Sequence, residues 1–493
     1  MTHRSRVVPA ALRRTLPALL IGLASACPVP AAADPLALPD MGDPSGQTLS
    51  PATESALGEA FMQQLLATTE LVEDPELDRY IAELGARLVA ASDAPDRAFH
   101  FFLVRDPSIN AFAAPGGHIG LHTGLLLAAR SESELAAVLA HEIAHVTQRH
   151  LARAYDSASR MSLPTAAAIL AAILIGTQNS EAGQAALMTV QAGNIQKQID
   201  FTRGNEREAD RIGMQMLART GFDPLGMPAF FERLQAQTRY YGDRIPPFLS
   251  THPVTRDRIA DAQARADQLR PARPRDELDF HLMRMRLRVL ESRDPARLHA
   301  ELAAGETGLP ETARSYGLAL AELRNGAPER AQSRLAALHR ADPDRLSYRL
   351  ALAKALDRAG RRDAALRLYR DTLALYPGNL IVARQLARTL LDGGQPRAAH
   401  DLLDPLLRQN SSAPASAYAL LGRAARAIGR SADAHEAMAE YHARKGQLHA
   451  AIEQLKLALE AEDADFYQRA RLEARLAALE RQALARKNAL KGE

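Results

Sequence analysis

The sequence predicts an α+β fold in two parts, a mostly helical domain built around a small β-sheet followed by an all-α solenoid of stacked helix pairs. Three features predict it. A stretch rich in aromatic and branched residues runs into a glycine turn, a well-capped helix follows it, and glycines recur at a fixed spacing through the last third. A chain of 493 residues exceeds one ordinary core, and 47% hydrophobic with 24% charged residues is the balance of a folded globular protein.

The first residues read as a leader rather than as part of the fold. Arg4, Arg6, Arg13 and Arg14 precede an apolar run from Leu16 to Ala26, and Ala31-Ala32-Ala33 then offers a small-residue cleavage site before Asp34. That order is the one a secretory signal peptide needs, and the run is short for a bilayer span. Cys27 also raises lipid attachment. Ala24 stands where such sites usually carry leucine, so cleavage after Ala33 is the expectation, leaving domains at 34–270 and 275–493. The leader holds four arginines and no acid, so its loss takes the formal net charge from +3 to −1. A near-neutral chain offers no nucleic-acid surface. Cys27 is the only cysteine, so the processed chain has no disulfide, no thiolate metal site and no cysteine nucleophile. Any metal must be held by histidine and carboxylate.

His100 to Val104 (HFFLV) has strand composition. Asp106-Pro107 marks a turn, and Ile109 to Ala113 with Ile119 to Leu121 flank Pro115-Gly116-Gly117, predicting a hairpin. Its edge suits pairing with an extended peptide. His118 and His122 flank the hairpin and read as surface or hydrogen-bonded strand residues. Ser131-Glu132-Ser133-Glu134 is then a capping box, with Glu134 placed to reach back to the helix start. Leu135, Val138, Leu139, Glu142 and Val146 share one side of the helix it opens. From Leu163 to Ile175 the chain is sharply apolar, at the length of a core helix, a lid or a membrane-contacting segment.

Beyond Pro271 and Pro274 the composition turns to alanine and arginine. Gly326, Gly360, Gly394 and Gly429 are spaced 34, 34 and 35 apart, each followed five residues on by Ala331, Ala365, Ala399 or Ala434. Gly446 and Ala451 repeat the pair out of phase, and Pro343 and Pro377 lie 17 residues after their glycines. This resembles the tetratricopeptide repeat, although the chain has no tryptophan for the usual early position. About four helix pairs with irregular ends are expected, forming a concave binding surface.

The chemistry lies in His141-Glu142-Ile143-Ala144-His145. Histidines four apart project from adjacent turns of one face and can share a metal ion, with Glu142 beside them to take a proton from bound water. Zinc suits imidazole and lowers the pKa of bound water to roughly 7. A third ligand is required. His150 follows His145 by five residues with no glycine between, which excludes the spacing of the metzincin class. A later helix offers Glu206 and Glu208. From Glu206 one face continues through Ala209, Asp210, Gly213 and Leu217; from Glu208 the face is mostly solvated, so Glu206 is the expected ligand. Asp210, one turn on, is placed to accept from the second nitrogen of a ligand imidazole. His252 precedes Pro253, hence lies outside a helix, where it stabilises an oxyanion, fills the metal's open position, or is structural.

Asn110-Ala111-Phe112-Ala113, Pro115-Gly116-Gly117, His141 to His145, Glu206 to Asp210 and Thr251-His252-Pro253 together resemble the zinc endopeptidase family of the CAAX prenyl protease and the HtpX heat-shock protease. Leader and repeats make the chain similar to its exported, repeat-bearing members. The resemblance implies a zincin-type peptidase domain with one Zn2+ on His141, His145 and Glu206, and with Glu142 as base. It also implies His252 as a regulatory fourth ligand. It further implies a periplasmic location, stalled outer-membrane β-barrel proteins as substrates, and the barrel assembly machinery as a partner through the repeats. The other function class left open is a chaperone-like adaptor in which the repeats do the main work and the metal site is latent.

Overall fold

The computed structural model describes residues 49–159, 192–241, 247–269, 277–305, 308–410 and 413–491. The leader, Cys27, the 163–175 segment and the prolines at 271 and 274 lie outside the described residues.

Two helices come first, α1 (Pro51–Thr68) and α2 (Pro75–Ala90). Asp74 caps α2, its carboxylate accepting from the Glu76 and Leu77 amides at 3.1 Å each, with Pro75 at the first helical position. The sheet follows: β1 (His100–Val104), β2 (Ala111–Ala114) and β3 (His118–His122). The expected hairpin is present, β2 pairing antiparallel with β3 across Pro115–Gly117. β1 then pairs parallel with β3 on its other side, placing β3 at the centre in the order β1-β3-β2. That second pairing joins residues distant in sequence, and no local pattern announces it. His122 is a buried strand residue hydrogen-bonded to Ser108 Oγ at 2.8 Å, and the His118 ring stacks on His100.

Next come α3 (Thr123–Ala128) and α4 (Glu132–Thr147). Ser131 caps α4 by accepting from the Glu134 amide at 3.2 Å. Glu134 reaches back one residue further than a capping box requires: it accepts from the Arg130 amide at 2.7 Å and binds Arg233. The helix is also more enclosed than its one-sided apolar pattern suggests. Alanines 136, 137, 140 and 144 are buried as fully as the leucines, because α4 is surrounded by α2, β2 and two later helices. Those are α6 (Ala192–Thr220) and α7 (Gly226–Tyr241); a short α5 (His150–Ser159) precedes them. Where α6 crosses α4, Gly213 lies so close that a Cβ on it would sit 3.3 Å from the backbone of Ala140 and His141. The glycine on the Glu206 face thus sets how near that face comes to the histidines. The short α8 (Pro247–Thr251) and α9 (Arg256–Leu269) complete this half.

The remaining helices are antiparallel pairs. Helix α10 (Leu278–Glu291) and α11 (Pro295–Ala304) lead into α12 (Glu311–Arg324) with α13 (Pro328–Ala341), and α14 (Leu346–Arg358) with α15 (Arg362–Leu375). Then follow α16 (Leu380–Asp392) with α17 (Pro396–Gln409), α18 (Ala415–Ala427) with α19 (Ser431–Arg444), and α20 (Leu448–Glu460) with α21 (Phe466–Lys491). Gly326, Gly360, Gly394 and Gly429 sit in the turns inside the pairs with φ between +72° and +77°, and Gly446, at +71°, lies in the turn between α19 and α20. At Gly360 the Arg361 amide donates to Leu356 and the Gly360 amide to Asp357, the bond pattern of a Schellman cap, whose left-handed position favours glycine. The five alanines that follow the glycines are buried at the pair interfaces.

One apolar core runs from Val72 through α4 and α6 and on through α10, α12 and α13 to Ala355 in α14. A buried ionic knot lies in the same region. Arg286 of α10 donates to both Asp74 oxygens at 2.7 and 2.8 Å and reaches Glu76 at 2.8 Å, with Tyr316 at 3.3 Å. The compositional change near residue 271 is therefore not a break in packing. Later repeats form separate clusters, and Lys445 meets Glu73 at 2.7 Å in an exposed contact worth little by itself. Among the described residues no helix is long and apolar enough to cross a membrane.

Candidate metal centre

α4 carries His141 and His145 on successive turns, their Nε2 atoms 3.0 Å apart. α6 brings Glu206 alongside, Oε2 at 3.4 Å from His141 Nε2 and Oε1 at 3.3 Å from His145 Nε2. The turn after α8 adds His252, whose Nδ1 lies 3.2 Å from His141 Nε2 and 3.0 Å from Glu206 Oε1. One ligand atom from each of the four residues falls within 4.8 Å of all the others. Imidazole nitrogens meeting edge to edge repel unless a cation or proton lies between them. For tetrahedral coordination with bonds of about 2.0–2.1 Å, donor atoms stand roughly 3.3 Å apart. The separations among His141, His145 and Glu206, and those from His252 to His141 and Glu206, run from 3.0 to 3.4 Å, close to that edge length, so the donor set fits one small divalent metal.

The surroundings favour positive charge. Burial opposes a proton on His141, but hydrogen bonding to Asp210 and Glu206 outweighs it and raises the ring to about 10. Burial pushes His145 down to about 3. Glu206 is nearly sealed from solvent, which works against its charge, yet the histidines around it hold it well below the usual carboxylate range.

Glu142 is 1% exposed, and its Oε1 has no hydrogen-bond partner; His252 Nε2 stands 3.5 Å from it. A buried carboxylate oxygen without a partner is costly, and its position beside the four donors is where it would meet a water held by the metal. Asp210 lies 3.0 Å from His141 Nδ1, the nitrogen turned away from the cluster. Phe248 packs against His252 with ring centroids 4.9 Å apart.

One contributor has no mark of its own in the sequence pattern. Arg258, in the first turn of α9, is buried; it grips Asp210 at 2.7 and 2.8 Å and Glu206 at 2.9 Å, and donates to the Pro253 carbonyl. A signal for it existed: two acids, Glu206 and Asp210, on one otherwise small or apolar helix face call for a buried cation. Nothing in local patterning separates Arg258 from exposed Arg256 two residues earlier. Asn110, in the motif before β2, is fully buried with neither amide atom partnered. Glu208 stays out of the cluster and instead meets His150 and Arg153 at 3.1 and 2.5 Å.

A metal-ready cluster of histidines and one glutamate, anchored on a His-Glu-x-x-His helix, defines a metallopeptidase. In agreement, residues 75–266 match peptidase family M48 and residues 356–414 match a tetratricopeptide repeat. The chain is 38% identical over 85% of its length to the β-barrel assembly-enhancing protease of Escherichia coli (strain K12), covering 86% of that protein. It is 48% identical to a β-barrel assembly-enhancing protease of Vibrio cholerae serotype O1, over 56% of either chain, so the match spans about half of that relative. A mitochondrial metalloendopeptidase of Schizosaccharomyces pombe is 32% identical over 36% of this chain and 50% of its own. The chain belongs to the family of β-barrel assembly-enhancing proteases.

Proposed function

We propose that the protein is a periplasmic zinc endopeptidase that degrades misassembled outer-membrane β-barrel proteins and assists the assembly of others. In this reading the leader (1–33) is removed, 34–270 is the peptidase and 275–493 is the repeat module that meets the barrel assembly machinery. The observation that carries the catalytic part is the unpartnered, buried Glu142 oxygen beside four donor groups gathered within 4.8 Å of one another.

His141, His145 and Glu206 hold the zinc. Asp210 and Arg258 keep His141 and Glu206 in place. Zinc, when bound, polarises the scissile carbonyl and acidifies water. Glu142 takes the proton of the attacking water and returns it to the leaving amine. β2, at the sheet's edge, pairs with the extended substrate. His252 stands at donor distance from His141 and Glu206, which supports its role as a fourth ligand that blocks the open position.

Zinc content tests the site. Close to one zinc per chain is expected, lost in Glu206→Gln; a zinc-free wild type after metal-replete purification would sink the reading. His252→Ala should keep its zinc and cleave an unfolded barrel substrate faster than wild type. Slower cleavage with zinc retained would instead assign His252 to the oxyanion.

A further inference from the structure

The second nitrogen of His145 is held by a device that the ligand set does not include. An unbroken helix would put His150 about 140° around the axis from His145, pointing elsewhere. Instead α4 stops at Thr147, and Arg149 takes a left-handed conformation with φ +52°. A non-glycine residue there costs on the order of 1 kcal/mol, and the Arg149 side chain is tied to the Leu49 carbonyl at 2.8 Å. The reversal lets α5 start at His150 with its ring against His145. The ring centroids are 4.7 Å apart, the planes nearly perpendicular, and the two Nδ1 atoms 2.8 Å from each other.

We propose that His150 is a positioning residue for His145, accepting its Nδ1–H and so presenting its Nε2 bare to the metal, with Glu208 fixing His150 in turn. The proposal rests on the metallopeptidase reading of the cluster. Proton counting sets the direction. Glu208 Oε2 lies 3.1 Å from His150 Nε2, and an ionised carboxylate only accepts, so that nitrogen carries the hydrogen. A neutral ring then has a lone pair at Nδ1, and the 2.8 Å contact requires His145 to be the donor. His145 Nε2 is left unprotonated, and it is the atom facing His141 and Glu206. Arg153, at 2.5 Å, keeps Glu208 charged and in place. His141 has a parallel arrangement through Asp210 and Arg258. Each ligand imidazole is thus backed by an acid that an arginine holds, and for His145 a second imidazole spans the gap.

Two substitutions at His150 separate this from packing. His150→Asn keeps an acceptor where Nδ1 stood, whereas His150→Gln keeps a donor toward Glu208 and loses that acceptor. The dissociation constant for Zn2+ alone, read by competition with a chelator, is expected to rise roughly 10- to 100-fold in His150→Gln. It should stay within about threefold of wild type in His150→Asn, and the metal-free unfolding midpoints of the two variants should coincide. Wild-type affinity in His150→Gln overturns the inference and leaves the metallopeptidase reading standing. Equal weakening in both variants overturns it too, assigning His150 to packing. A wild type that binds no zinc overturns both.

Discussion

Glu142→Gln is expected to lower peptide-bond hydrolysis by roughly 10²- to 10⁴-fold while zinc content stays at the wild-type level. The substitution is isosteric, so the 3.5 Å approach to His252 and the packing of α4 are retained. Only the capacity to accept a proton disappears. The orphaned Oε1 also gives the variant a second signature. A buried amide is cheaper to desolvate than a buried carboxylate, so the metal-free variant should unfold at the same temperature as wild type or higher. Lost turnover together with unchanged zinc and undiminished stability identifies a base. A variant retaining most of its turnover would remove Glu142 from the reaction, and loss of zinc would make it a structural support of the metal.

Arg286→Ala should destabilise the protein by about 3–5 kcal/mol, the usual cost of stranding buried charge. Arg286 is the cation that meets both Asp74 and Glu76, which stand two residues apart at the start of α2. Burial raises Glu76 and opposes the charge on Asp74; the guanidinium holds Asp74 below its ordinary value. Without it two carboxylates share a sealed space, so one must take up a proton. The variant should therefore lose more stability at neutral pH than under mildly acid conditions. Denaturant unfolding at two pH values reads this directly. Asp74→Asn/Glu76→Gln/Arg286→Met should recover much of the loss, because removing all three charges strands none. A single variant as stable as wild type would show that the knot is solvated in practice.

What the sequence made legible was whatever follows a local period. His141 and His145 are four apart on one helix, Glu206 begins an apolar face, and the repeat glycines return every 34 residues because each turn needs a left-handed cap. Several features resisted for a shared reason. The parallel pairing of β1 with β3, the burial of Arg258 and the knot at Arg286 depend on partners far along the chain. In the sequence His150 serves only to exclude a ligand spacing, and Glu208 lies on a mostly solvated helix face. Their meeting depends on the left-handed turn at Arg149, a position where arginine gives no hint of the conformation. The change in composition near residue 271 reflects how the surface is built, while the core is blind to it.

That continuous core bears on how such a chain is assembled from parts over evolutionary time. A recombination crossover placed at the compositional change would give one recipient Asp74 and Glu76 without their arginine, and the other α12 and α14 without a floor. Neither product has a closed interior. Helix α14 serves both interiors, giving Tyr348, Ala351 and Ala355 to the first cluster and Leu346, Leu350 and Ala353 to the next, so an exchange of the trailing pairs that leaves both interiors closed has to preserve the face of α14 that the later cluster uses.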